Sequence, residues 1–232
     1  MARSLTGWKA AVTLADAGVM PAVVAALVAA GAEVVVDSGA ADGATVVGPV
    51  AGDASGFLTR CEAAVGPLDI LVVGSGLVRN KPILDVADED LAATIAEELV
   101  QPAILMREAA RAMLTRNGGR IVAFGSMSGK TGVHHNTAPA AAAKGGLFAF
   151  VRALAAEVAE GGVTVNAIAT ALFEPQTATM TEEKRTLLRG AVPVGRFGRS
   201  EEAAHAVLYL VDPDGGYVTG ECLNLSGGRF MD

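Results

Sequence analysis

Cysteine, tyrosine and charge are all scarce in this 232-residue chain, and each scarcity removes a class of function. The two cysteines, Cys61 and Cys222, lie far apart, with no Cys-x-x-Cys and no histidine at ligand spacing. That excludes a disulfide framework, a dithiol redox motif and a zinc site, and makes buried free thiols the expectation. Only two phenols are present, Tyr209 and Tyr217, so few groups of that kind are available for proton transfer. No apolar run approaches the ~20 residues needed to cross a bilayer, and Met1-Ala2-Arg3-Ser4-Leu5-Thr6 lacks the apolar centre of a signal peptide. No membrane partner and a cytoplasmic location are expected. Basic side chains are outnumbered, 18 to 25, and the net charge of −7 would repel the phosphates of nucleic acid.

Apolar residues, by contrast, make up 51% of the chain against 19% charged, with a mean hydropathy of +0.42. A disordered chain has the opposite balance. The length fits one domain spanning residues 1–232, with no linker, repeat or low-complexity break. Short apolar runs alternate with segments of helical period, the pattern of a parallel sheet covered on both faces. Strands are expected at 8–13, 33–37, 44–47, 69–73, 120–124, 163–168 and 222–225. Helices are expected over about 19–30, 54–65, 88–115, 137–160, 182–189 and 200–211. Only Ser38-Gly39-Ala40-Ala41-Asp42-Gly43 separates the second and third strands, too short for the usual crossover helix. The fold class is therefore α/β, a Rossmann-like doubly wound parallel sheet of about seven strands.

Ligands of open parallel sheets bind beyond the carboxyl ends of the strands. Those ends carry Leu14 to Met20, Gly74-Ser75-Gly76, Gly125-Ser126-Met127-Ser128-Gly129 and Ala169-Thr170-Ala171, with Lys144 four residues after Ala140 on one helix face. In order and spacing these pieces resemble the short-chain dehydrogenase/reductase family over essentially the whole chain. The resemblance is carried by Leu68-Asp69-Ile70-Leu71-Val72 followed by Gly76, and by Gly119-Arg120-Ile121-Val122 followed by Ser126. Lys144 before Gly146-Leu147, Val165-Asn166-Ala167-Ile168, and Gly195-Arg196-Phe197-Gly198-Arg199 with Glu201-Glu202-Ala203 extend it. Tyr217-Val218-Thr219-Gly220 leading to Gly227-Gly228 completes it.

The resemblance implies a dinucleotide turn reading Thr-Gly-x-x-x-Gly-x-Gly, but here Gly18 survives while Leu14 and Met20 fill the other slots. Side chains there would stand where ribose and pyrophosphate approach backbone. Asp37, or Ser38 in another register, falls where an acidic residue would bind ribose hydroxyls. Of the family's catalytic group, Ser126 and Lys144 fill their slots, whereas the Tyr slot is Ala140 and the Asn slot is Glu98. A methyl group cannot carry a proton, so Tyr acid catalysis is unavailable, and Glu98 is placed to pair with Lys144. His134 and His135 lie in the loop between, as solvated residues or, for His135, as a substitute acid. Halohydrin dehalogenases share the degraded turn and short crossover, but Ala140 and Lys144 depart from their Ser, Tyr and Arg.

The first expectation is thus a catalytically inactive subunit with no cofactor of its own, its positions Leu14, Gly18, Met20, Asp37 and Gly76 no longer holding NAD. It would assemble, as a heterotetramer, with an active paralogue that binds NAD and oxidises a CoA-thioester alcohol. The second is a cofactor-independent lyase, isomerase or cyclase using Ser126, His135 and Lys144.

Overall fold

The computed structural model describes residues 4–39, 42–50, 52–76, 80–132 and 135–231; His134 lies outside them. Seven parallel strands form one sheet in the order β3-β2-β1-β4-β5-β6-β7. They are β1 Lys9–Val12, β2 Glu33–Val36, β3 Ala44–Val46, β4 Ile70–Val73, β5 Gly119–Ser126, β6 Val163–Thr170 and β7 Cys222–Leu225. The central pair, β5 and β6, runs in register for its whole length, from Gly119 opposite Val163 to Ser126 opposite Thr170. Each overshoots its expected end by two residues, carrying Ser126 and Thr170 out on ordered backbone.

Alternation along the strands divides the core between two faces. Ala11, Val35, Leu71, Ile121, Ala123, Val165 and Ala167 face one layer. That layer contains α2 Ala54–Val65, α4 Gln101–Leu114 and α6 Ala138–Val158. Ala10, Val12, Val34, Ile70, Val72, Val122 and Ile168 face the other, built on α1 Met20–Ala29 and α9 Ser200–Leu210. Both faces are apolar, hence the strands read as unbroken apolar runs. Among the described residues the β2–β3 connection carries no helix, and β3 is a short, largely exposed edge. Both cysteines are buried and outside any disulfide, and burial pushes the Cys61 thiol up to about 12, which leaves it unreactive. Among the described residues no helix is long and apolar enough to cross a membrane.

The segment expected as one helix over 88–115 is instead three pieces: α3 Asp88–Ile95, a π turn Ala96–Val100, and α4. Pro102 supplies the reason. It has no N–H for the Glu98 carbonyl four residues earlier, and its ring crowds that carbonyl. The backbone widens by one residue, so that Gln101 N–H donates to Ala96 O. Three short helical pieces had no expectation: a 3₁₀ turn Ile83–Asp85, α5 Ser128–Thr131 and α7 Glu174–Thr177. Each is too short to show a period.

After α7 come α8 Glu182–Gly190 and α9. The start of α9 is fixed by Glu202, whose carboxylate takes both arms of the Arg196 guanidinium at 2.7 and 2.8 Å and the Arg199 N–H at 2.8 Å. These hydrogen bonds, that to Arg196 first, hold the Glu202 carboxyl down at about 2 against a usual 4.5. A carboxyl depressed in the folded state stabilises above its unfolded value and ceases to as pH falls through its folded one. Glu202→Gln is expected to cost about 1 kcal/mol at pH 7, or roughly 2–4 °C, and almost nothing at pH 2. Melting temperatures measured across that range check it; an equal deficit at both ends would assign the effect to packing rather than charge.

Candidate functional site

The strand order reverses direction between β1 and β4, and the crevice opens there, at the carboxyl ends. The turn after β1 is built without its expected glycine. Leu14 takes a left-handed conformation, φ 52°, which costs an L-residue about 1–2 kcal/mol. Asp37, at the end of β2, holds it there: Leu14 N and Ala15 N donate to its two carboxylate oxygens at 2.8 and 3.2 Å. Ser38 Oγ lies 2.9 Å from both Asp37 Oδ1 and Asp16 Oδ1, with one proton for the two. A carboxylate offers about four acceptor positions, and the two backbone donors leave part of that capacity unused. Across the turn, Gly74 N donates to Thr13 Oγ1 at 3.0 Å, and a side chain on Gly74 would collide with the Thr13 carbonyl.

Met20 opens α1 with its side chain only 1% exposed, in the core cluster that holds Val23 and Val24, and it also forms part of the wall of the smaller crevice cavity beside Gly18. The helix rotates it inward, because the first turn of α1 must bury one face on the sheet. Leu14 does stand at the crevice wall, 38% exposed. Met20 thus stands in the wall of the smaller cavity and Leu14 in that of the larger.

Two adjoining cavities form the crevice. One, of about 300 Å³, is lined by Leu14, Asp37, Val50, Gly76, Glu98 and Leu105. The other, of about 50 Å³, is lined by Gly18, Met20, Gly76, Ser126, Thr170 and Gln176. They meet at Gly76. Ser126, at the last position of β5, accepts hydrogen bonds from Ser128 N at 3.2 Å and Ser128 Oγ at 3.0 Å. With its oxygen occupied by donors, its own O–H is left to give to a ligand.

Lys144 and Glu98 form an ion pair beneath this crevice. The Lys144 side chain is 1% exposed and that of Glu98 16%. Burial pushes the Lys144 ammonium below its usual range, and the Glu98 carboxylate works against that fall. The pair is reached by a close approach of α5 to α6, where a Cβ on Gly129 would stand 2.6 Å from Lys144 Cβ. Ala140, one turn before Lys144, is also buried. His135 is not brought to Ser126: it lines a separate groove of about 440 Å³ with Ile83, Leu84, Asn136 and Ala141. Ser126 and His135 line different cavities, so the proposed trio of Ser126, His135 and Lys144 is not brought together in one.

A sequence profile described as enoyl-(acyl carrier protein) reductase matches residues 2–229. The 3-oxoacyl-[acyl-carrier-protein] reductase FabG of Escherichia coli K12 is 32% identical, over 96% of this chain and 97% of its own. This chain belongs to the short-chain dehydrogenase/reductase family. Nodulation protein G of Azospirillum brasilense is 37% identical over 76% of this chain and 74% of its own. A structure described as a short-chain alcohol dehydrogenase from Sinorhizobium meliloti 1021 superposes with a TM-score of 0.89 at 28% identity, covering 97% of each chain.

These short-chain dehydrogenase/reductase relatives overturn the first functional expectation. They are named as reductases and dehydrogenases in their own right, not as silent subunits, and the reading of an inactive member paired with an active paralogue is withdrawn. The same names are those of oxidoreductases, against a lyase, isomerase or cyclase. Members of this family ordinarily use a nicotinamide dinucleotide, which also counts against a subunit with no cofactor.

The sequence did carry one unused signal for this site. Pro102 predicts the break in the helix that sets Glu98 against Lys144.

Removing one member of a buried pair strands the other charge, at about 3–5 kcal/mol. Glu98→Ala, which strands the Lys144 ammonium at 1% exposure, is expected to fall within that range. Glu98→Leu combined with Lys144→Met is expected to recover most of the loss. Denaturant unfolding at pH 7 measures both, and a single variant as stable as the parent would show that Lys144 is compensated elsewhere.

Proposed function

We propose that this chain is an oxidoreductase that binds a nicotinamide dinucleotide in the crevice and interconverts a carbonyl and an alcohol at Ser126. One observation supports the reading above others. The Ser126 hydroxyl stands at the carboxyl end of β5, on the wall of the cavity that Gly18 and Gly76 also line, with its oxygen held by Ser128 and its proton free to give.

The residues present fit a dinucleotide. Gly18 lines the cavity that holds Ser126, Asp37 lines the neighbouring one, and the two cavities share Gly76 in their walls. Gly18, Asp37 and Gly76 would hold it, and when bound it supplies or takes up the hydride. Ser126 donates its O–H to the carbonyl oxygen of the substrate. As that oxygen gains negative charge, the hydrogen bond strengthens, which is the differential stabilisation a catalytic donor must give. Ser128 N–H and O–H, both aimed at Ser126 Oγ, favour the serine oxygen as its proton moves toward the substrate. Position 140 contributes no acid. A positioned general acid is worth roughly 10²–10⁴-fold, so with Ser126 holding the oxyanion by its hydrogen bond and water supplying the net proton, turnover is slow.

The substrate class follows the relatives named for 3-oxoacyl thioesters. Oxidation of NADH or NADPH with a short 3-oxoacyl thioester should be slow but saturable. Ser126→Ala is expected to lower kcat by roughly 10²-fold or more, the loss on removing one oxyanion donor. Ser128→Ala is expected to lower it less, with KM unchanged. Turnover in Ser126→Ala equal to the parent, or failure of the parent to bind either dinucleotide, would overturn the proposal.

A further inference from the structure

Four polar side chains stand in the wall of the cavity that holds Ser126: Ser75, Ser126, Thr170 and Gln176. Two of them have committed their protons to the backbone. Thr170 Oγ1 donates to the Gly125 carbonyl at 3.0 Å, and Ser75 Oγ donates to the Gly76 carbonyl at 3.3 Å. Ser126 keeps its O–H to give, because Ser128 donates to it twice. Gln176 is the other side chain with protons to give.

The direction of its amide is fixed by the chain. Gln176 Oε1 accepts the Phe173 N–H at 3.1 Å. A backbone N–H bonds to the oxygen of an amide and not to its NH2, so the NH2 end is the one left over. None of the described residues takes up its two protons. The anchor itself is firmly held. Phe173 is buried and pairs as a parallel bridge with Gly198, whose carbonyl accepts the Glu174 N–H at 2.9 Å. The two backbones approach this closely because residue 198 has no side chain: a Cβ there would stand 2.8 Å from the Phe173 ring. Within α7, the buried Thr177 ties its hydroxyl to the Glu174 carbonyl at 3.1 Å. A side chain mounted on such a turn gives up little further freedom when it meets a ligand.

The cavity has a volume of about 50 Å³. At roughly 10–15 Å³ for each water, it has room for a few waters, or for one carbonyl group that fills it and touches its walls. We propose that Gln176 is a second catalytic donor: its NH2 and the Ser126 hydroxyl together receive the carbonyl oxygen of the substrate. The inference rests on the carbonyl–alcohol reading above. As hydride adds to the carbonyl carbon, the π pair of the C=O bond moves onto oxygen and both hydrogen bonds strengthen, after which water gives that oxygen its proton. Gln176 thus supplies the second hydrogen bond, though not the proton, that the methyl group of Ala140 lacks. The two donors reach one cavity because β5 and β6 run in register to their ends, with Ser126 opposite Thr170 and Gln176 on the segment that follows.

Two variants separate this role from a structural one. Gln176→Glu removes the donor while leaving a carboxylate oxygen to accept the Phe173 N–H, and Gln176→Met removes both. With a short 3-oxoacyl thioester at pH 7, and NADH or NADPH, whichever the parent binds, each is expected to lower kcat roughly 10²–10³-fold, the loss on removing one oxyanion donor. Calorimetric titration should return the parent's Kd for the dinucleotide. As pH falls from 7 to 5, the carboxyl of Gln176→Glu gains a proton to donate, and its kcat relative to the parent should rise. If Gln176→Glu turns over as the parent does and only Gln176→Met is impaired, the side chain merely holds α7 and the proposal is wrong. If Gln176→Glu weakens dinucleotide binding with kcat unchanged, the amide serves the dinucleotide and the proposal is again wrong. In both cases the carbonyl–alcohol reading stands. If the parent neither binds a dinucleotide nor turns over, both fall.

Discussion

A lysine ammonium with almost no access to water persists in this protein because a carboxylate is delivered to it, and the delivery is made by a missing N–H. Pro102 leaves the Glu98 carbonyl without its helical partner, the chain widens into a π turn, and Glu98 meets Lys144 across the interface of two helices. Burying either charge alone would cost several kcal/mol. The pair sits where the broken helix packs on α6: a Cβ on Gly146 would stand 2.9 Å from the Leu99 side chain, and one on Gly76 2.7 Å from Glu98 Oε1.

A second substitution of one device for another occurs at the first turn. Where a glycine would adopt the left-handed conformation freely, Leu14 adopts it against its own preference, and Asp37 supplies the compensation by accepting two backbone donors. The turn is held by groups of the chain itself. Preorganisation of this kind reduces what binding must spend on ordering the loop.

Much of the fold was legible from residues 8–13, 33–37, 69–73 and 222–225, because a strand buried on both faces reads as an uninterrupted apolar run. The short β2–β3 connection was legible from length alone. The broken helix was less so, since its apolar period continues through the π turn and only Pro102 marks the break. At the site, Ser126 and Lys144 were placed by spacing. The burial of Met20, the depth of Lys144 and the separation of His135 from Ser126 were not, because each depends on how segments distant in the chain pack against one another.

The sequence by itself determined the alternation of strands and helices, the family, and the absence of a phenol at position 140, since these are properties of local pattern and residue identity. Only the tertiary structure decided which of the altered side chains enter the crevice. Facing is set by contacts between segments distant in the chain: Leu14 with Asp37, Glu98 with Lys144, and Met20 with the core beneath the sheet. A residue's identity states what chemistry it carries, but the packing of its element against the others fixes where that chemistry points.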